Sequence, residues 1–409
     1  MCMGYASSTV VLVWCLAWRA SRCVFLVTAA VAMWKPSKHG GVRILLGKNN
    51  PLFARLLQSG RDYLLQNGFE ERDDLPSCQT LEFIWPNKKV MDKIATTAAL
   101  QKDHDPATTP MAKVRPYPGH VTECLDDKKR LADLFRQSAP EYRDIAPTLV
   151  TCHPNDDTIT TLVSLSLPSP TGRYFVKHRW GVQGKSVYCF TRAQLVAWWA
   201  NTNAKRREDF VIQHEVAPAL WGHRKFFLRA HILVTTTTVD EGRNHHLEHK
   251  AYVHRHIICQ HHAVDYDSDE NEDKLSHTSH SGSRLKRHPL PTLTGELAPQ
   301  HPASDCWQEV ERVSEMLVCL FRGQLEHHPS SSWMGAESSS GVCFALWGVD
   351  LLMRDDGKVL VCEVNTHPAL GWGTMANVPS QVYSDIVRDT LDILLYSGGD
   401  APTRFCELL

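Results

Sequence analysis

The stretch Leu346 to Asn365, LWGVDLLMRDDGKVLVCEVN, constrains the chain most. Two apolar runs, Val349 to Met353 and Val359 to Val364, flank Asp356-Gly357, and an Asp-Gly pair is the strongest short-range signal for a two-residue hairpin turn. A loop of those two residues places Asp350 opposite Glu363, with Asn365 two residues on and on the same face. Directly opposed residues have Cβ atoms about 5 Å apart. Two carboxylates that close need a proton, a cationic side chain or a metal ion between them. Two carboxylates and an amide oxygen are hard ligands, suited to Mg²⁺. The alternative is an ordinary exposed hairpin with a polar face. The metal reading rests on Asp350, Glu363 and Asn365 sharing a face from which Val349, Leu351, Cys362 and Val364 point away.

With 409 residues, 43% of them hydrophobic and 22% charged, the chain has material for more than one domain, in the manner of a soluble globular enzyme. The net charge of −1 implies no overall attraction for nucleic acid or an anionic membrane. Thirteen cysteines without a CxxC pair, several in strand-like runs (Cys189, Cys343, Cys362), point to reduced thiols in a cytosolic-type compartment rather than disulfides or zinc.

Residues 1–40 read as an N-terminal extension, targeting or non-structural. The apolar runs Thr9 to Trp18 and Val24 to Trp34 are broken by Arg19 and Arg22, so neither reaches the roughly 20 residues of a membrane span. No basic residue precedes the first run, as a secretory signal requires, and Met33 is a candidate start. A smaller α/β domain with its linker is expected over 41–150: strands at Val42 to Gly47 and Leu81 to Trp85, a helix from Asn50-Pro51 through Leu57, a loop over Lys88 to Pro118, and a helix from Asp126 to Arg136. Lys128 and Lys129 in its first turn are, on that evidence, solvated.

In YFVKHRWGVQGKSVYCF, strands Tyr174 to Lys177 and Ser186 to Phe190 are joined by a loop with Gly181, Gly184 and Lys185. Such a loop can lay backbone N–H groups on phosphate while Lys177 supplies charge, although a plain glycine hairpin has the same pattern. A strand at Phe210 to Gln213 precedes GHRKFFLRAHILV, in which Lys225, Phe227 and Arg229 alternate onto one face. A cationic face in a buried strand calls for an anion. The segment Asp265 to Asp305 is too polar to fold alone and reads as a surface loop. The histidines His245, His246, His249, His254 and His256 read as exposed loop residues rather than a metal site. Helices follow at Trp307 to Phe321, with core-type spacing, and at Ser380 to Tyr396, before a tail from 398.

The order of these motifs resembles the tubulin tyrosine ligase-like family of ATP-grasp ligases. The resemblance covers about Gly41 to Leu395 and is strong from Tyr174 onward. VTECLDDKKRLADLF is similar to the family's lysine-then-helix segment, with Lys128 as that lysine, and YFVKHRWGVQGKSV to its lysine strand and phosphate loop, with Lys177. FVIQHEV resembles the strand beside adenine (Gln213, His214), GHRKFFLRAHILV the GRKFDxR strand, and AYVHRHI the YxYREG strand with Arg255. GVDLL and VLVCEVNTHP resemble the acidic strands that carry Asp350, Glu363 and Asn365. Three positions depart from the pattern: Phe227 replaces the aspartate near ribose, His214 a lysine, and Ser186 the last loop glycine.

The resemblance implies an α/β (α+β) chain: a smaller N-terminal α/β domain, then an ATP-grasp ligase domain over 151–397. It implies ATP and Mg²⁺ as cofactors. Metal would sit on Asp350, Glu363 and Asn365; nucleotide on Lys177, Gly181, Gly184, Lys185, Gln213, His214, Lys225 and Phe227; and Arg229, Arg255 and Lys128 would serve catalysis. The implied activity is addition of tyrosine, glutamate or glycine to a protein tail, tubulin or another acidic tail, through an acylphosphate. The implied setting is a cytoplasmic monomer, free of nucleic acid and membrane and without the microtubule-binding module of some members. A weak or inactive binding member, and a ligase of small metabolites, are the alternatives.

Overall fold

The computed structural model describes residues 42–45, 69–72, 114–146, 149–151, 172–181, 186–207, 209–241, 244–262, 265–266, 303–328, 342–366, 368, 370, 380–395 and 404–408. Strands β1 (Val42–Leu45) and β2 (Phe69–Arg72) pair in parallel as a sheet of their own. The helix expected over Asn50 to Leu57 and the strand over Leu81 to Trp85 lie outside the described residues.

Within the stretch expected to be a loop, Val114–Pro116 forms β3. Helices α1 (Gly119–Asp126) and α2 (Lys128–Gln137) follow: the helix expected from Asp126 starts at Lys128, after a break at Asp127, and α1 before it was not expected. Asp127 is the N-cap of α2 and accepts from the backbone N–H groups of Lys129 at 2.9 Å and Arg130 at 3.4 Å. A capping acceptor there satisfies donors that the first turn cannot, and it fixes where Lys128 enters the helix. The one-turn α3 (Pro140–Arg143) ends this segment.

Strands β4 (Leu149–Thr151), β5 (Arg173–His178), β6 (Val187–Thr191) and β7 (Phe210–His214) make a four-stranded sheet in the order β4-β7-β5-β6. Between β6 and β7 lie α4 (Arg192–Asn201), opened by a Thr191/Gln194 capping box, and α5 (Ala204–Arg207). Tyr174, Val176, Leu195, Trp199 and Ile212 form a small core on one face of this sheet.

The largest sheet, of eight strands, is built on β9 (Arg224–Glu241). The short β8 (Leu220–Trp221) leads into it through Gly222 and His223, both at positive φ (54° and 64°), the primed-turn geometry that matches strand twist. β9 pairs with β10 (Asn244–His254), β11 (Ile258–His261) and β12 (Val342–Met353). β12 carries β13 (Val359–Asn365) and, in parallel, β3. α6 (Ala303–Glu326) packs on one face through Val310, Val313, Leu317 and Phe321, together with α1 and α2. α7 (Ser380–Leu395) buries Tyr383, Ile386 and Leu391. β14 (Phe405–Glu407), in what read as a tail, closes the edge against β10.

Three expectations change. The histidine group is in the strand β10 and just beyond it, with His254 fully buried against Asp389 at 3.3 Å. The polar insertion is shorter at both ends, because Arg224 holds Asp265 at 2.8 Å and Ala303–Asp305 belong to α6. The hairpin loop has three residues, Asp355 to Gly357: Arg354 N–H bonds the Lys358 carbonyl at 2.8 Å, Gly357 N–H bonds that of Arg354 at 3.0 Å, and Gly357 takes φ 84°.

Candidate active site

Inserting one residue into the hairpin loop should have moved every carboxylate to the wrong partner. It did not, because β13 bulges between Val361 and Glu363: Leu351 pairs with Val361, Asp350 with Glu363 and Gly348 with Asn365. The extra residue is Cys362. Val359, Val361 and Val364 face the core under α6, whereas Cys362 turns to the opposite face with Glu363, where the Lys177 ammonium donates to its Sγ at 3.3 Å. The reading that pointed Cys362 away from the carboxylates is thereby corrected. Period-2 alternation breaks at a bulge.

β9 obeys the same alternation. Phe226, Leu228, Ala230 and Ile232 join the core, which leaves Lys225, Phe227, Arg229 and His231 on the face shared with Asp350. Across the register Arg229 lies directly opposite Asp350 and Phe227 opposite Leu352. The Arg229 guanidinium forks onto the carboxylate, Nε to Oδ1 and Nη2 to Oδ2, both at 2.6 Å. This is a bidentate, charge-assisted pair in a nearly buried setting.

The four-stranded sheet supplies the facing wall. On β5, Tyr174 and Val176 point into the small core, so Phe175 and Lys177 point the other way, toward the large sheet. Lys128, read from sequence as solvated, reaches across from the first turn of α2. Its ammonium lies 3.3 Å from Glu363 Oε2 and donates to the Gly181 carbonyl at 2.8 Å. It is held there from behind: Asp127, fully buried, is engaged by Arg179, two residues before Gly181. Asp127 and Arg179 escaped the sequence reading, and the only available signal was an acidic residue at a cap position. Burial works against the Glu363 carboxylate, yet Lys128, Lys177 and Arg229 together hold its pKa below the usual value. Gly181 is tightly placed, since a Cβ there would meet the His178 carbonyl and Ser186 Cβ at 3.0 Å. Gly184 and Lys185 lie outside the described residues.

A second charged group occupies the other end of the cleft. Glu215, directly after β7, ion-pairs with Lys225, and its other oxygen lies 4.0 Å from Arg173. Lys225 also sits over the Tyr266 ring at 4.2 Å and the Phe175 ring at 5.6 Å. Burial pulls its ammonium pKa down while Glu215 pulls it up. Gln213 is buried and pairs with Phe175. His214 points into the small core, edge-on to Tyr174 at 5.0 Å, because successive strand residues alternate faces. Its side chain is therefore on the opposite side of the sheet from Lys177. Glu215 and Arg173 were missed, as nothing in their spacing links them.

Arg255 is not brought into either group. It follows the last residue of β10, is exposed, and donates through Nε to Cys406 Sγ at 2.9 Å. Asn365 is present, its amide donating to the Gly348 carbonyl at 3.4 Å. Among the described residues no three His, Cys, Asp or Glu side chains gather as a metal cluster, and the eight described cysteines are free. No described helix is long and apolar enough to cross a membrane.

Two antiparallel sheets facing each other across a cation-lined cleft, with few helices, are consistent with an α+β fold of ATP-grasp type. Residues 309–401 match the model of the tubulin-tyrosine ligase family. The chain is also similar to the "probable tubulin polyglutamylase ttll-9" of Caenorhabditis elegans, 23% identical over 203 residues, which is 46% of this chain and 44% of that protein. The match thus spans less than half of that relative's length. Together these findings support a tubulin tyrosine ligase-like family for this chain.

Proposed function

We propose that this protein is an ATP-dependent ligase that joins a free amino acid, tyrosine, glutamate or glycine, to a protein tail, tubulin or another acidic one. The observation that carries this reading is the convergence of Lys128, Lys177 and Arg229 on Asp350 and Glu363 from two facing sheets and a helix. The family match and the relative's name agree with it.

The donor set suits Mg²⁺: two carboxylates and an amide are hard oxygen ligands, and each carboxylate is already balanced by a cation of its own. Exchange of partners leaves no buried charge uncompensated, with the carboxylates turning to the metal and Arg229, Lys128 and Lys177 to phosphate oxygens. Mg²⁺ bound with ATP would neutralise the β- and γ-phosphates. Lys177 and the Gly181 loop hold the phosphates, and Arg229 and Lys128 place positive charge where it develops during transfer. The γ-phosphoryl passes to a substrate carboxylate oxygen, giving ADP and an acylphosphate. The incoming amine then forms the amide bond, loses a proton and expels phosphate.

Incubation of the purified protein with tubulin, ATP and each radiolabelled amino acid in turn tests this. Label enters tubulin with one of them and is lost with Glu363→Gln. A folded protein that incorporates none overturns the reading. A catalytically weak or inactive member acting as a binding protein is the second reading, and Phe227 favours it, because a phenyl ring on the cleft face offers ribose no hydrogen-bond partner and so weakens nucleotide binding.

A further inference from the structure

His231 is the least explained group on the cleft face of β9. It follows Arg229 by two residues and so shares its face, and it is fully buried, yet neither ring nitrogen has a hydrogen-bond partner among the described residues. A neutral imidazole carries one N–H donor and one acceptor nitrogen, and burying both unpaired lowers stability. Buried polar groups are ordinarily paired, so an orphan of this kind calls for a second state in which it gains a partner.

Three polar groups face the ring: Arg229 from its own strand, His254 from β10, and Tyr383 from α7, whose ring stands edge-on at 6.4 Å and 89°. Burial, Arg229 and His254 all disfavour the imidazolium, so the ring stays neutral and keeps its acceptor. It is thus no cation for an anionic ligand, and among the described residues it belongs to no metal cluster. His254 is already engaged, with Nε2 against Asp389 at 3.3 Å and Nδ1 accepting the His256 backbone N–H at 3.1 Å. The phenol of Tyr383 is directed to the Arg229–Asp350 pair, both of which act on it electrostatically. That leaves the guanidinium. Opposite His231, β12 carries Gly348, and a Cβ there would come within 2.8 Å of Pro368 Cβ and 3.7 Å of Arg229 Cδ. The Arg229 stem therefore already leans over Gly348, into the row of His231, before its guanidinium reaches Asp350.

We infer that His231 is a positioning residue for phosphoryl transfer: its acceptor nitrogen takes an N–H of Arg229 once that guanidinium leaves Asp350 for the phosphate oxygens. This rests on the ligase reading, in which Asp350 turns to Mg²⁺. A guanidinium has five N–H groups in a fixed fork, so it can hold phosphate oxygens and His231 together. The orphan nitrogen destabilises the ligand-free arrangement and is satisfied in the liganded one, which biases Arg229 toward phosphate.

The test compares full-length His231→Leu and His231→Gln with wild type at about pH 8, where a histidine of lowered pKa is neutral. Leucine removes both nitrogens, whereas glutamine keeps an acceptor oxygen. In urea unfolding without ligand, His231→Leu should be at least as stable as wild type, because the unpaired groups are gone. In calorimetry it should bind Mg²⁺ with ATP about tenfold more weakly, and His231→Gln within about twofold of wild type. In amino-acid incorporation His231→Leu should lower kcat about tenfold at unchanged KM for the protein substrate, with most of the loss restored by His231→Gln. A leucine variant that is destabilised or unfolded makes His231 a core residue and overturns the inference. So does equal weakening of nucleotide binding in both variants, which would trace the effect to ring shape. If the two variants differ in nucleotide binding as expected while wild type incorporates no amino acid, the ligase reading falls and the role of His231 toward Arg229 stands. If both variants incorporate with wild-type kcat, the inference falls and the ligase reading stands.

Discussion

The two ends of the cleft use the same chemical groups to opposite effect. At one end Glu215 and Lys225 are locked together with Arg173 at side-chain exposures of 2%, 8% and 2%, and aromatic rings cover the ammonium. At the other, Asp350 and Glu363 face Lys128, Lys177 and Arg229, one positive charge in excess, and the carboxylates remain 14% and 28% exposed. The first group, one carboxylate against two cations, also carries one positive charge in excess, but it is closed. The second is open and leaves positive charge for an anion to meet. Burial decides whether an ion-pair network serves structure or chemistry, since an enclosed pair resists exchanging partners and a half-open one permits it.

Four measurements sharpen or break this contrast. Glu363→Gln is expected to lower amino-acid incorporation by about a hundredfold or more while the denaturation midpoint barely moves. A variant that unfolds instead would mean that this end, too, is structural. Glu215→Gln should behave in the converse way, leaving Lys225 enclosed without its counter-charge at a cost of about 3–5 kcal/mol in urea unfolding. A stability loss below about 1 kcal/mol would remove the distinction between the two ends.

Between the ends lies Phe227, two residues from both Lys225 and Arg229 on the same face of β9. Phe227→Asp should tighten ATP binding about tenfold, because an aspartate accepts hydrogen bonds from ribose hydroxyls, even as lost apolar burial lowers stability. Unchanged or weaker binding in calorimetry would show that the ring packs usefully against the nucleotide.

The smallest effect concerns His231 and His254 on the face beneath α7. Burial lowers both pKa values, and neither ring nitrogen of His231 has a hydrogen-bond partner among the described residues. A histidine with a depressed folded-state pKa takes up its proton first in the unfolded chain, so stability falls as pH drops below the unfolded value near 6.5. Each contributes a slope of at most about 1.4 kcal/mol per pH unit. His231→Gln should flatten the acid limb of a stability–pH curve, and an unchanged slope would show that His231 does not titrate with folding.

Alternation along the strands was legible without coordinates. The faces of β9 and β12, the opposition of Asp350 and Glu363, and the core helix α6 follow from periods of 2 and 3.6 residues, which depend on backbone geometry alone. Even so, the Asp350/Glu363 register came out right by two compensating features, a three-residue loop and a bulge at Cys362, and neither is encoded in a local pattern that could be read with certainty. Lys128 looked solvated because a sequence shows what lies beside a residue along the chain, not what a cap at Asp127 aims it toward. Glu215 with Lys225 and Arg173, the turning of His214 into the small core, and the separation of Arg255 from Arg229 were decided by which sheet faces which. Local chemistry and periodicity thus determined which residues could share a face. Only tertiary structure set which faces meet, because contacts between segments far apart in the chain depend on the packing of whole sheets.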